Sequence, residues 1–214
     1  MTALADPAPL HSEDDSLDAV DYLLPAGMVL FSSAVFWGFA RTVLDAEYSR
    51  IGTSSIQRNF TVGFEWDADG FPINQIGHPY QGSLYHTAAR ATGHDFWVAA
   101  LYTFLGSLQW EMFMENELPS YNDLITTTFS GAAFGETLFR LGSELLDPST
   151  SGSERVWREL GAGVIAPTMG LTRTLTGGIV ESGDREESNI LWAAIFLWAF
   201  EAGLPTREIL TRAG

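Results

Sequence analysis

The chain contains no cysteine and no lysine. Without cysteine there can be no disulfide, no thiolate nucleophile and no thiolate metal site, a state compatible with any compartment. Without lysine, all the positive charge rests on eleven arginines, set against 27 acidic residues for a formal net charge of −16. So few cations cannot build a stripe that neutralises successive phosphates, so nucleic acid is not an expected partner. Charge is scarce altogether: charged residues make up 18% of the chain, below the roughly 25% of soluble proteins. Motifs of soluble enzymes are missing too. There is no HExxH, no Glu-x-x-His repeat, no GxSxG elbow and no glycine-rich phosphate loop after a strand, so neither a metal nor a cofactor is expected.

What is present is apolar. Hydrophobic residues make up 46% of the chain, with seven Trp and fourteen Phe, a balance that points to lipid or to a very dry interior. The apolar segments continue along nearly all 214 residues, so a single domain is expected over 21–214, behind an acidic segment, 1–20, read as disordered. That leading segment lacks the basic start and small-residue cleavage site of a secretory signal. Much of the negative charge sits in two solvated-looking stretches, Glu13 to Asp21 and Glu181 to Glu187.

Tyr22 to Ala40 is nineteen residues without a charge, close to the roughly 20 that span a bilayer core. It reads as a transmembrane candidate or uncleaved anchor, with a buried first bundle helix as the alternative, and the helix is expected to reach Ser49. From about 52 to 78 the pattern becomes irregular. A long loop is expected there, with a brief strand where Phe60, Val62, Phe64 and Trp66 alternate. Pro79 opens a second helix that Gly93 ends. A third runs from about Asp95 to Glu117, with fifteen uncharged residues from Phe96 to Trp110. Ser120 to Asp123 resembles a capping box for a fourth helix reaching Leu146. Glu154 to Thr176 is helical in pattern with a break near Pro167 and Gly170. The charge-free run within Asn189 to Phe200 is a further helix or a strand. These elements predict an all-α, membrane-associated bundle of five to six helices.

Gly131 and Gly135 form a GxxxG spacing that allows two helix backbones to approach closely. Glu111 and Glu115 are placed one helical turn apart at the end of an apolar stretch, where like charges need compensation. Three arrangements could supply it: pairing with Arg90, Arg140 or Arg173, a shared proton in a general acid/base pair, or a metal ion. Glu136 and Arg140 have the favourable i, i+4 order for an ion pair. His78 before Pro79 reads as a hydrogen-bonding residue at a helix start, and His86 as a satisfied core residue.

Three separated motifs, NQIGHPYQGSLYHTAAR from Asn74, SLQWEMFMENELPSYNDLITTTFSGAAFGE from Ser107, and APTMGLTR followed by TLTG, together resemble the bacterial domain of unknown function 3943 over about 66–177. The resemblance implies a Gram-negative envelope protein with no assigned activity. Its motif positions fall on Asn74, His78, Pro79, Gly82, Tyr85, Arg90, Trp110, Glu111, Glu115, Pro119, Ser120, Asp123, Gly131, Gly135, Glu136, Pro167, Gly170 and Arg173. The expected interior is one buried polar network of Asn74, His78, Arg90, Glu111, Glu115, Asp123, Glu136 and Arg173. The leading functional expectation is a structural or interaction module of the envelope, partnered by membrane lipid and other envelope proteins. The alternative is a membrane-associated hydrolase or transferase in which His78, Glu111, Glu115 and Asp123 act on a lipid-like substrate.

Overall fold

A computed structural model describes residues 19–176 other than 69 and 148. The run at Asn189 to Phe200, the acidic stretch at Glu181 to Glu187 and the first eighteen residues lie outside that range. The described chain is all-helical, with seven α-helices: α1 (Ala19–Thr42), α2 (Thr53–Val62), α3 (His78–Arg90), α4 (Phe96–Phe113), α5 (Tyr121–Leu145), α6 (Gly152–Ile165) and α7 (Pro167–Leu175).

Most boundaries follow local chemistry. Pro79 has no N–H to give, and the turn before it, Ile73–Gly77, widens to π geometry, with the His78 amide closing on Ile73 O. Gly93 leaves α3 with a positive φ of 87°. The Asp95 carboxylate accepts the Trp97 and Val98 amides to open α4, and Ser120 Oγ accepts the Asp123 amide to open α5. Pro167 starts α7 one residue after α6 closes.

Three sequence expectations need correction. The first helix stops at Thr42, and Glu47–Ser49 is a separate 3-10 turn; Asp45, at φ 46°, turns the chain between them. The stretch expected to be a loop from 52 to 78 contains α2. This helix forms because Ser55 caps the Gly52 amide and Asn59 donates to the carbonyls of Glu111 and Met112 on α4. The expected strand therefore shrinks to an isolated bridge, in which Glu65 N donates to Pro119 O at 2.8 Å and Glu65 O accepts Tyr121 N at 2.9 Å. The alternation ran across a helix end, so its period of two carried no strand.

At the centre lies α3, in which every residue but Tyr80 is buried. Its closest neighbour is α5, and glycines set that approach. A Cβ on Gly131 would lie 2.5 Å from the Gly82 Cα, one on Gly82 would run into the Thr127 carbonyl, and one on Gly135 would lie 2.6 Å from the His86 Cβ. No side chain larger than hydrogen fits at this crossing.

Burial in this fold is inverted. Among the described residues, the buried side chains are more often polar than apolar, while large apolar ones cover the outside. On α1 the inner face carries Ser32 and Ser33 and the outer face Leu23, Leu30, Phe31, Val35 and Phe39. On α4, Thr103, Ser107 and Glu111 face inward, and Trp97, Leu101, Phe104 and Leu105 outward. Three of the inner hydroxyls are held locally or by α3: Ser32 donates to Met28 O, Thr103 to Ala99 O, and Ser33 Oγ lies 2.7 Å from the Tyr85 hydroxyl. A smaller apolar core of Phe139, Leu146, Ala162, Ala166 and Met169 joins α5 to α6 and α7.

Candidate functional site

The polar interior does not form the single network expected from the sequence. It divides into two clusters at opposite ends of the α3–α5 crossing, and a separate pair lies on α6 and α7. The division follows from helix geometry. Successive turns of α3 meet successive turns of α5 running in the same direction, so His78 lies by Thr127 and Arg90 by Glu136.

The first cluster gathers carboxylates. His78 Nε2 lies 3.2 Å from Asp123 Oδ1, and its Nδ1 lies 3.0 Å from Thr127 Oγ1. Asn122 is the hub. Its Nδ2 donates to Asp67 Oδ1 at 2.5 Å, to Asp123 Oδ1 at 3.1 Å and to Asn74 Oδ1 at 3.4 Å. Its Oδ1 accepts the Asp67 amide and the Ser120 hydroxyl. Glu111, 1% exposed, accepts the Ser120 amide at 2.8 Å and shares a hydrogen bond with the Glu115 side chain.

None of the three arginines weighed as partners holds Glu111. Arg90 and Arg140 pair with Glu136, and Arg173 with Glu159. Burial pushes the Glu111 carboxyl up to about 8; the Ser120 amide pulls it down, and Asp123 and Asp67 add to the rise. At neutral pH it is therefore largely a neutral acid able to donate a proton. Glu115 is not on the same helix face: α4 ends at Phe113, and Glu115 reaches back from the following turn, half-buried. Among the described residues no three His, Asp or Glu side chains come together as a metal-binding group.

The second cluster gathers cations. Glu136 receives Arg90 Nε at 2.9 Å, Arg140 Nε at 2.8 Å and His86 Nε2 at 3.2 Å. Burial alone would raise its carboxyl; His86 and the two guanidiniums override that and hold it down at about 2. Burial lowers the His86 imidazole, keeping it neutral. Arg90 is fixed further by the His94 carbonyl at 2.6 Å and by the Phe139 ring, 4.7 Å away. Arg173, placed with these groups by the sequence reading, instead makes a two-pronged pair with Glu159, at 2.7 and 3.0 Å, that ties α7 to α6.

Thr127 Oγ1, His78 and Asp123 form a hydroxyl–imidazole–carboxylate line, the order used for nucleophile activation. Each is under 8% exposed. Sequence reasoning missed Thr127, Asn122, Asp67 and Glu159. Thr127 had a usable signal, its i+4 spacing from Asp123 on one helix face. The others owe their places to tertiary contacts.

Beside these clusters a groove of about 690 Å³ runs along α5 and is lined by the starts of α3 and α4, including Tyr80, Phe96, Trp97, Phe129, Ala133 and Thr137. Its walls are almost wholly apolar, and no titratable residue of either cluster lines it.

No curated protein and no solved structure matches the chain. A family model does, over residues 63–168, a span that holds the α3–α5 crossing, both clusters and the groove, while Gly170 and Arg173 of the third motif lie just beyond it. Through that segment the chain belongs to the family described as a domain of unknown function (DUF3943).

Proposed function

We propose that the chain is a membrane-associated helical module of the bacterial cell envelope with a structural or interaction role. In this reading α1 is the anchor, the outer faces of α4 and α5 rest against the same lipid, and the polar clusters hold the helices together from within. The observation that carries it is the inverted burial. Exposing a large apolar side chain to water forgoes about 1.5–3 kcal/mol of burial energy, and α1 and α4 expose theirs in continuous outward rows. In contact with lipid the same rows carry no such penalty, and the burial of hydroxyls and paired charges inside becomes the natural arrangement. α1 is the one described helix long and apolar enough to cross a membrane. The envelope setting is supported by the motif resemblance, and membrane lipid and other envelope proteins are the partners it implies. The clusters support a structural role because they are closed: the carboxylates of Glu111 and Glu136 are spent on internal donors and none faces the groove. Carbonate washing and flotation of membranes from cells expressing the full chain test the reading. The protein is expected in the floated fraction; a monomer soluble without detergent overturns it.

A second reading, a hydrolase or transferase acting on a lipid-like substrate, is favoured by the Thr127–His78–Asp123 line beside a neutral Glu111. It predicts turnover of phospholipids or cell-wall fragments by the wild type that Thr127→Val abolishes without loss of helix content. An absence of product from the wild type leaves the structural reading standing alone.

A further inference from the structure

One surface feature joins charge to the apolar groove. Phe129, Ala133, Thr137 and Arg140 follow one another at spacings of four, four and three, which places them on one face of α5. The first three line the groove, so Arg140 stands one turn beyond its end. The same end is tied to the cation cluster from α4, where the Phe96 ring lies 5.2 Å from His86, itself 3.2 Å from Glu136. Arg140 is only partly committed. Its Nε donates to Glu136 Oε1, its two terminal nitrogens make no hydrogen bond to the described residues, and its side chain is 36% exposed. Two guanidiniums share the one Glu136 carboxylate, and the Asp95 carboxylate at the same end is engaged by the Trp97 and Val98 amides, which leaves the outer side of Arg140 for a further acceptor.

We propose that the groove seats one acyl chain of a membrane phospholipid, with the lipid's phosphate on the terminal nitrogens of Arg140. This rests on the membrane reading above and names the lipid and its place. From Phe129 to Arg140 the helix rises about 16 Å, room for most of an acyl chain, and the volume lies within the range of about 300–1,000 Å³ of small-molecule sites. A guanidinium can take two phosphate oxygens at once. Trp97, 78% exposed at the groove's cationic end, is the residue type enriched where headgroups meet hydrocarbon.

Native mass spectrometry of the full chain, released from dodecyl maltoside, tests the site with added phosphatidylglycerol and with diacylglycerol of the same chains. The wild type is expected to retain one phosphatidylglycerol, and diacylglycerol about tenfold less. Arg140→Gln, which removes the phosphate contact, and Ala133→Trp, which fills the groove and leaves the ion cluster intact, should each lower retention about tenfold, with helix content checked by circular dichroism. Equal retention of the two lipids, retention unchanged in either variant, or retention of a free fatty acid in preference to the phospholipid overturns the inference. None of these results bears on whether the chain floats with membranes, so this site can fail while the membrane reading stands; a chain absent from the floated fraction overturns both.

Discussion

Glu111 and Glu136 are the same residue type, each buried against α3, and the protein drives them in opposite directions. Glu136 meets two guanidiniums and an imidazole and stays charged, its carboxyl held at about 2. Glu111 meets one backbone amide and a ring of other acids and is pushed up to about 8. Burial acts on both in the same sense; the company decides the outcome. One end of the α3–α5 crossing is thus stapled by arginine pairing, and the other by hydrogen bonds among carboxylates of which Glu111 is the protonated one. The two ends should fail under different conditions.

The largest difference is expected from direct neutralisation. Glu136→Gln leaves Arg90, 6% exposed, facing a neutral partner, and should destabilise the protein by about 3–5 kcal/mol in denaturant titrations. Glu111→Gln replaces a neutral acid by a neutral amide and should change stability near pH 4 by under about 1 kcal/mol. An equal loss for both variants would erase the distinction between the clusters.

The pH dependence sharpens it. The Glu111 carboxyl is raised above its ordinary value of 4.5, so the folded state holds a proton that the unfolded chain releases. Its contribution is complete below about 4.5 and is lost as pH rises through about 8, a change on the order of a few kcal/mol. Glu136 has the opposite sign: its contribution is present above 4.5 and is lost as pH falls towards 2. The difference between wild-type and Glu111→Gln stability curves cancels the histidines and isolates the first effect. The variant should gain on the wild type between pH 5 and 8, and a flat difference would refute the neutral-acid assignment.

The glycine seam between the clusters comes next in size. Gly131→Ala places a Cβ 2.5 Å from the Gly82 Cα and should lower stability by about 1–3 kcal/mol, as overpacking does. Gly27→Ala on the outer part of α1 meets nothing within 4 Å and should raise helix stability by about 0.5–1 kcal/mol. Equal melting temperatures for the two would mean the seam yields freely.

The features legible in the sequence were those written in local chemistry. Asp95, Ser120 and Pro79 announced their helix starts, Pro167 announced the break that separates α6 from α7, the GxxxG pair marked a face that α3 meets, and Glu136 with Arg140 is an i, i+4 pair in sequence and in space. The illegible features depend on tertiary neighbours. α2 was hidden because its stabilising contact, Asn59 to the end of α4, spans 52 residues. The polar residues were recognisable as interior, but their division into two clusters was not, because the register of α3 against α5 appears in no local pattern. Which compensation Glu111 receives was open for the same reason: of the three arginines weighed, Arg90 and Arg140 are taken by Glu136 and Arg173 by Glu159.

The central claim is that the outer faces of α1 and α4 meet lipid while the charges lie within. The most direct test places single glutamates on those faces, Phe31→Glu on α1 and Leu105→Glu on α4, and measures the membrane-bound fraction by flotation beside a matched substitution at the solvent-side Glu154. Each outward glutamate should cut the bound fraction or the yield of folded protein, because a charge in lipid costs about 2.5–3.5 kcal/mol near a helix centre. Glu154→Asp should change neither. A Phe31→Glu or Leu105→Glu chain that keeps its helix content and becomes more soluble without detergent would show that those faces meet water, and would contradict the account.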